Sequence, residues 1–99
     1  MKIYKIFVDP KVDNDISKAV EYYENQQAGL SQKFIQAYDD AINILKGFPH
    51  YQIRYDSVRC FPIKKFPYMI HFTIDENNRL VNIYALIHTS LDPEENWIE

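Results

Sequence analysis

Two stretches of the chain repeat apolar residues at three- and four-residue steps, the spacing of one helix face. In residues 13–27, with Asp13 as the predicted N-cap, this face comprises Ile16, Ala19, Val20 and Tyr23. In residues 30–48 it comprises Leu30, Phe34, Ala37, Tyr38, Ala41, Leu45 and Phe48. Gly29 separates the two stretches, and Gly47 with Pro49 ends the second. The pattern therefore predicts a helical hairpin.

The other periodic segments alternate apolar and polar residues, which is typical of strands. They cover residues 2–8, 53–63, 67–75 and 80–88. The turn "DENNR" joins the last two segments as a hairpin. Each of these two strands has one apolar face, which in the last comprises Val81, Ile83, Ala85 and Ile87. Each also has a mixed face, which includes His71 in the third segment and Tyr84, Leu86 and His88 in the fourth.

One apolar face per strand is typical of an antiparallel sheet with helices on one side. The sequence therefore predicts an α+β fold with a strand, a two-helix hairpin and a three-stranded antiparallel meander, the helices packed on one face of the sheet. Ninety-nine residues suit a single domain, which we expect to span residues 1–99.

Charge is unevenly distributed, although the net charge is only -3. Residues 50–74 contain four basic residues and one acidic residue, which gives +3; residues 75–99 contain one basic and six acidic residues, which gives -5. The basic residues are Arg54, Arg59, Lys64 and Lys65. Pro62 and Pro67 flank the two lysines, and proline favours strand ends, so we expect the lysines at the tip of a hairpin. Such a cluster suits phosphate or an acidic protein surface.

Cysteine and hydropathy favour a cytoplasmic protein. Cys60 is the single cysteine, so no internal disulfide forms, and we expect it to pack rather than react. The sequence has no signal-peptide pattern and no apolar run of the roughly 18 residues that a membrane helix needs. The three histidines lack metal-ligand spacing, so we expect no metal. We also expect no cofactor and no membrane partner.

Several motifs resemble the RelE/ParE superfamily of toxins from bacterial type II toxin–antitoxin modules. They are the Gly29-Leu30 helix start, the Arg59…Phe66-Pro67-Tyr68 hairpin, and the His88…Asp92-Pro93…Trp97 ending. The resemblance runs from Asp15 to Trp97. It implies a small growth inhibitor that a cognate antitoxin neutralises in a hetero-oligomer.

The superfamily includes ribosome-dependent endoribonucleases and inhibitors of DNA gyrase. Cleavage of messenger RNA without a metal needs a base, an acid and cations at one phosphate. The candidates for these catalytic roles are Arg59, Lys64, His71 and His88, with the two histidines predicted to share the mixed face. Candidate binding residues are Arg54, Lys65 and Tyr84. We expect His50, in a turn, to be inert.

Two departures from the superfamily pattern weaken the nuclease interpretation. Leu91 occupies the position where many members have arginine, and "EENWIE" lacks the tyrosine or histidine common in the nuclease branch. The sequence therefore favours a toxin that binds a protein target such as DNA gyrase. Two alternatives stay open: an endoribonuclease, and a non-toxic module that keeps only antitoxin binding. We expect the antitoxin to offer an acidic, partly apolar segment, which adds to a sheet edge or lays a helix on the surface.

Overall fold

The computed structural model of the protein describes residues 3–89. Its helices and strands are, in chain order, β1 (Lys5–Val8), α1 (Pro10–Gln26), α2 (Leu30–Gly47), β2 (Ile53–Tyr55), β3 (Val58–Pro62), β4 (Tyr68–Asp75) and β5 (Leu80–His88). This confirms the predicted α+β fold with its helical hairpin. None of the helices in the described part is long and apolar enough to cross a bilayer.

The strands form one sheet in the order β1-β5-β4-β3-β2. β1 is parallel to β5, and the other neighbours are antiparallel. The helices cover one face of the sheet, and the core lies between them. Its fully buried side chains come mainly from α1, α2, β4 and β5 and include Val12, Phe34, Leu45, Ile70, Phe72 and Val81. We call the uncovered side the outer face.

The first helix begins earlier than the sequence pattern predicted. Asp9 is the N-cap, because its side chain accepts a hydrogen bond of 2.9 Å from the backbone N–H of Lys11. Pro10 occupies the first turn, where its fixed φ favours a helix and its missing N–H costs nothing. The prediction of Asp13 as N-cap is therefore wrong, and Asp13 is an acidic residue of the first turn.

The second helix follows its predicted stripe except at the end. Gly29 precedes it with φ of +88°, a left-handed conformation that glycine adopts without steric cost. Phe34, Ala41 and Leu45 are buried, as predicted. Phe48 lies beyond the helix and is 73% exposed, so its assignment to the apolar stripe is wrong.

The predicted strand over residues 53–63 is two strands. β2 and β3 form a tight antiparallel hairpin in which Tyr55 pairs with Val58. Asp56, in the turn between them, has φ of 49°. Aspartate tolerates this left-handed conformation better than most residues, so "DS" makes a turn within a run that otherwise alternates. The meander therefore has four strands rather than three.

A β-bulge in β5 changes which side chains face the helices. His71 pairs with Ala85, but the next residue of β4, Phe72, pairs with Ile83. Tyr84 is therefore an extra residue, and one extra residue inverts the alternation of every later position. Leu86 is consequently buried at 4% exposure. The predicted apolar face of this strand holds for Val81 and Ile83 and is wrong for Ala85 and Ile87.

Candidate functional site

The basic turn, residues 63–67, joins β3 to β4 and carries Lys64 and Lys65 exposed to solvent, as predicted. It is closed by a hydrogen bond of 3.0 Å from the Ile63 N–H to the Tyr68 carbonyl. The Phe66 ring anchors it from below, with its centroid 5.2 Å from that of Phe34. An anchored turn holds its two lysines away from the core, where a partner can reach them.

A groove of about 750 Å³ separates the basic turn from α2. Its apolar lining includes Leu30, Ala37 and Ile44 from the helix and Phe61 and Phe66 from the sheet. Lys33, Lys64 and Lys65 contribute positive charge to its lining, and Asp40 contributes one negative charge. An apolar surface edged by cations suits an amphipathic segment that carries acidic residues.

His71 is buried on the outer face, because Tyr55 from the β2–β3 hairpin covers it. Its Nδ1 lies 2.9 Å from the Tyr55 hydroxyl oxygen, and its side chain is 1% exposed. Burial, with a smaller contribution from the Arg54 charge, lowers the pKa of His71 to about 4. The imidazole is therefore mostly neutral at pH 7, and the protonated form that would act as a general acid is scarce.

Cys60 pairs with His71 across β3 and β4 and is also buried. Burial raises the pKa of the Cys60 thiol, and the opposing effect of Arg54 is smaller. A protonated, buried thiol is a poor nucleophile, in agreement with the prediction that it packs.

His88 lies on the opposite face of the sheet from His71. It pairs with Tyr68, whose ring it contacts with centroids 5.0 Å apart. Tyr68 packs against Phe34 on the helix side, so His88 is on that side as well. The prediction that the two histidines share one face is wrong, because the bulge at Tyr84 inverts the end of β5.

Arg59 pairs with Phe72, whose side chain is in the core beneath the helices. Its Nη1 donates a hydrogen bond of 2.8 Å to the Tyr51 carbonyl oxygen. This bond engages one end of the guanidinium with the protein itself. Arg59 therefore belongs to the helix side of the sheet, whereas His71 belongs to the outer face.

Tyr84, the extra residue of the bulge, is on the outer face and 41% exposed. Its hydroxyl oxygen accepts a hydrogen bond of 3.3 Å from Thr73. Phe7 of the neighbouring strand β1 is 53% exposed and pairs with Asn82 on the same face. Exposed aromatic side chains are common in protein interfaces, and the role of Tyr84 in binding stays a prediction.

A polar cluster that the sequence did not predict joins three distant segments. Glu76 accepts a hydrogen bond of 2.7 Å from the Tyr4 hydroxyl and also contacts His50 Nε2. The hydrogen bond with His50, and secondly that from Tyr4, lowers the pKa of Glu76. The hydrogen bond to Glu76 is in turn the largest cause of the raised pKa of Tyr4. Tyr4 and Glu76 are 72 residues apart, and no spacing pattern in the sequence predicts their contact. His50, expected to be inert, thus has a structural contact.

The candidate catalytic residues consequently lie in different parts of the molecule. His71 is in the outer face, His88 and Arg59 are on the helix side, and Lys64 is on the basic turn. Within residues 3–89 no three His, Cys, Asp or Glu side chains are close enough to hold a metal ion. Leu91 and Trp97 lie outside the described residues, so the motifs that contain them are not tested by the fold.

Comparison with known proteins identifies a family and solved structures with a similar fold. Residues 6–93 match the family described as "ParE toxin of type II toxin-antitoxin system, parDE". A solved structure described as the chromosomal ParDE TA system from P. aeruginosa has a similar fold, with a TM-score of 0.74 and 12% sequence identity. The similarity covers 87% of this chain and 96% of that chain. No curated protein matches the sequence.

Proposed function

Because the chain belongs to the ParE toxin family of type II toxin–antitoxin systems, we propose that it inhibits bacterial growth by binding a protein target, DNA gyrase, rather than by cutting RNA. The observation that carries this proposal is the separation of His71 from His88 by the full thickness of the sheet. General acid and general base must reach the same phosphate, within about 3 Å of the protons they move. The two histidines lie on opposite surfaces of the sheet, so they do not reach the same phosphate.

The electrostatics of His71 support the same proposal. At a pKa of about 4 the imidazole is neutral at pH 7. A general acid with this pKa is almost entirely in the wrong protonation state at the pH of the cell. Arg59, which would stabilise charge on the phosphate, is on the other side of the sheet. A ribonuclease role for Arg59, Lys64, His71 and His88 stays a prediction, and the experiment below tests it.

The helical hairpin offers a surface for gyrase. Its exposed residues include Tyr22 at 54% exposure, the polar end of α1, and Asp39 on α2. Asp39 has no role in the core, whereas the neighbouring Tyr38 is half-buried and its pKa is raised to about 12, chiefly by burial. Exposed aromatic side chains such as that of Tyr22 are enriched in protein interfaces.

The cognate antitoxin is the second partner that we propose. The similar structure is described as a toxin–antitoxin system, and the outer face of this chain bears exposed Phe7 and Tyr84 next to the edge strand β1. An extended segment that adds to this edge can place alternate side chains on that face. Lys64 and Lys65 lie on the turn between β3 and β4, which β5 and β4 separate from β1, so they would bind a second, acidic part of the antitoxin.

Production of the protein alone in bacteria tests the target. We expect growth to stop, plasmid supercoiling to change, and transcripts to stay intact. The purified protein should inhibit supercoiling by gyrase in vitro. Asp39→Lys should weaken this inhibition by about tenfold, equivalent to about 1.4 kcal/mol of binding free energy. Asn77→Lys, which adds positive charge to the exposed β4–β5 turn, is the control and should leave inhibition unchanged.

Three other outcomes would each contradict the proposal. New 5′ ends inside translated reading frames, lost in Arg59→Ala or His88→Gln, would establish an endoribonuclease. Growth arrest with intact transcripts and normal DNA topology would indicate a different protein target. Folded protein that leaves growth unaffected would identify a module that keeps antitoxin binding alone.

A further inference from the structure

The polar cluster of Tyr4, His50 and Glu76 holds both oxygens of one carboxylate. The Tyr4 hydroxyl donates a hydrogen bond of 2.7 Å to Glu76 Oε1, and Glu76 Oε2 contacts His50 Nε2. The Tyr4 hydroxyl oxygen and His50 Nε2 are themselves only 3.5 Å apart. A hydroxyl and an imidazole nitrogen thus converge on one oxyanion group, which here is the side chain of Glu76.

Two arginines give this cluster an excess of positive charge. The Arg79 guanidinium lies over the Tyr4 ring, with its Cζ 5.7 Å from the ring centroid. Arg59 reaches the loop that carries the histidine, because its Nη1 donates a hydrogen bond of 2.8 Å to the Tyr51 carbonyl. The hydrogen bond to Glu76 is the largest influence on the pKa of Tyr4 and raises it, whereas the charges of both arginines lower it. Two guanidinium charges therefore act where one carboxylate is held, which favours an anion and disfavours a cation.

The guanidinium of Arg59 also has an unsatisfied donor. Among residues 3–89 no group accepts a hydrogen bond from its buried Nε–H. A buried charge with an unpaired donor costs free energy, and a nearby anion offsets part of that cost.

Glu76 belongs to a turn whose shape does not depend on its side chain. That side chain is 56% exposed. The turn is held by the Asp75 carboxylate, which accepts hydrogen bonds of 3.2 and 2.9 Å from the backbone and side-chain nitrogens of Asn78. The Arg79 N–H adds a bond of 3.3 Å to the backbone carbonyl of Glu76. The Glu76 carboxylate can therefore rotate into solvent while the turn stays in place.

We propose that Tyr4, His50, Arg59 and Arg79 form an oxyanion site that binds a phosphate dianion, free or as a monoester, and that Glu76 is its internal occupant. Phosphate oxygens take the places of the two carboxylate oxygens. A phosphate monoester carries a charge of about -1.5 to -2 at pH 7, so it neutralises two arginines more fully than one carboxylate does. Glu76 is tethered at the site and competes with the ligand, so binding to the wild type is weak. The inference does not rest on gyrase as the target.

Removal of the internal occupant tests this proposal. Calorimetric titration with inorganic phosphate at pH 7 measures the affinity, and the imidazole resonances of His50 report where the ligand binds. Glu76→Gln removes the competing charge, so we expect it to bind phosphate about tenfold more tightly than the wild type, with shifted His50 resonances. A loss of folding cannot produce such a gain. The matched control Glu21→Gln makes the same change of charge at an exposed position of α1 and should bind like the wild type.

A double variant tests the arginine. Glu76→Gln/Arg79→Asn should lose the gain, because it removes one guanidinium from the oxyanion site. Asparagine tolerates the φ of 52° at this position, so the turn keeps its shape. Glu76→Gln/Lys18→Gln removes one positive charge at an exposed position of α1 instead and should keep the gain. Far-ultraviolet circular dichroism checks that both double variants remain folded.

Titration of Glu76→Gln with adenosine 5′-monophosphate and with adenosine distinguishes the source of the phosphate. Equal affinity for the nucleotide and inorganic phosphate would assign the site to the phosphate group alone, and tighter binding of the nucleotide would assign it to a monoester. Each of four results would overturn the proposal. They are an unchanged phosphate affinity in Glu76→Gln, an equal gain in Glu21→Gln, a gain that survives Arg79→Asn, and adenosine that binds as tightly as its monophosphate.

Discussion

Replacement of Phe34 by alanine is expected to lower the free energy of unfolding by about 3–5 kcal/mol. Phe34 is fully buried, and its ring centroid lies 5.2–5.4 Å from those of Phe66 and Tyr68 and 5.3 Å from that of Tyr23. It thereby joins both helices to the basic turn. The total free energy of unfolding of a domain of this size is about 5–15 kcal/mol, so the variant should be near the limit of stable folding. Urea unfolding followed by circular dichroism measures the loss.

The neighbouring position supplies the control. Ile35 is on the same helix but 40% exposed, so Ile35→Ala should change the free energy of unfolding by about 0.5 kcal/mol or less. Comparable losses in the two variants would mean that Phe34 is not the packing centre of the hairpin. The intermediate Phe34→Leu, which retains most of the apolar volume, should fall between Phe34→Ala and the wild type.

Acidification is expected to destabilise the wild type through His71 by about 2 kcal/mol between pH 7 and pH 4.5. The folded pKa is about 4, below the ordinary value of 6.5. Between these values the unfolded chain binds a proton that the folded chain does not, so stability is present above pH 6.5 and falls as the pH approaches 4. A difference of 2.5 pKa units, caused chiefly by burial and secondly by Arg54, corresponds to about 3 kcal/mol in full. The interval from pH 7 to pH 4.5 ends above the folded pKa, so only part of this energy is lost within it.

His71→Gln removes the titrating group, and its unfolding free energy should lose about 2 kcal/mol less than that of the wild type over the same pH interval. The carboxylates, Glu76 among them, are present in both proteins, so the effect of their titration on the free energy of unfolding cancels in the difference. His88→Gln is the matched control and should retain the full loss. Parallel pH profiles for the wild type and His71→Gln would show that His71 is not buried as a neutral group.

The helices were predictable because their apolar residues repeat at helical spacing, over about two turns in α1 and about five in α2. Leu45, Ala41 and Phe34 occur at helical spacing, and the helix that they define is the observed α2. Its end was harder to predict, since Phe48 continues the spacing but follows Gly47. The start of α1 was encoded in Asp9-Pro10, a pair that combines an N-cap oxygen with a preset φ. That signal is more specific than the position of Asp13.

The bulge at Tyr84 accounts for the main errors in the candidate site. Alternation in "LVNIYALIH" is uninterrupted as a pattern, and only the pairing with β4 reveals the extra residue. The burial of His71 was equally unpredictable, because it depends on Tyr55, which reaches it from a different strand. Lys64 and Lys65 were placed correctly at the turn because the flanking prolines restrict that segment locally. Features set by neighbouring residues in the sequence, such as the basic turn, could thus be predicted. Features set by pairing between strands, such as the bulge and the burial of His71, could not.

The parallel pair formed by β1 and β5 has a consequence for the synthesis of the protein. Lys5 pairs with Leu80, 75 residues further along the chain. At about 5–20 residues per second a ribosome needs about 4–15 s to make that interval. Throughout this interval β1 has no β5 to pair with, although pairing with β5 is the only strand contact that β1 makes in the described sheet. The sheet is therefore completed only after β5 has been made, so the nascent chain cannot present the whole outer face before β5 emerges.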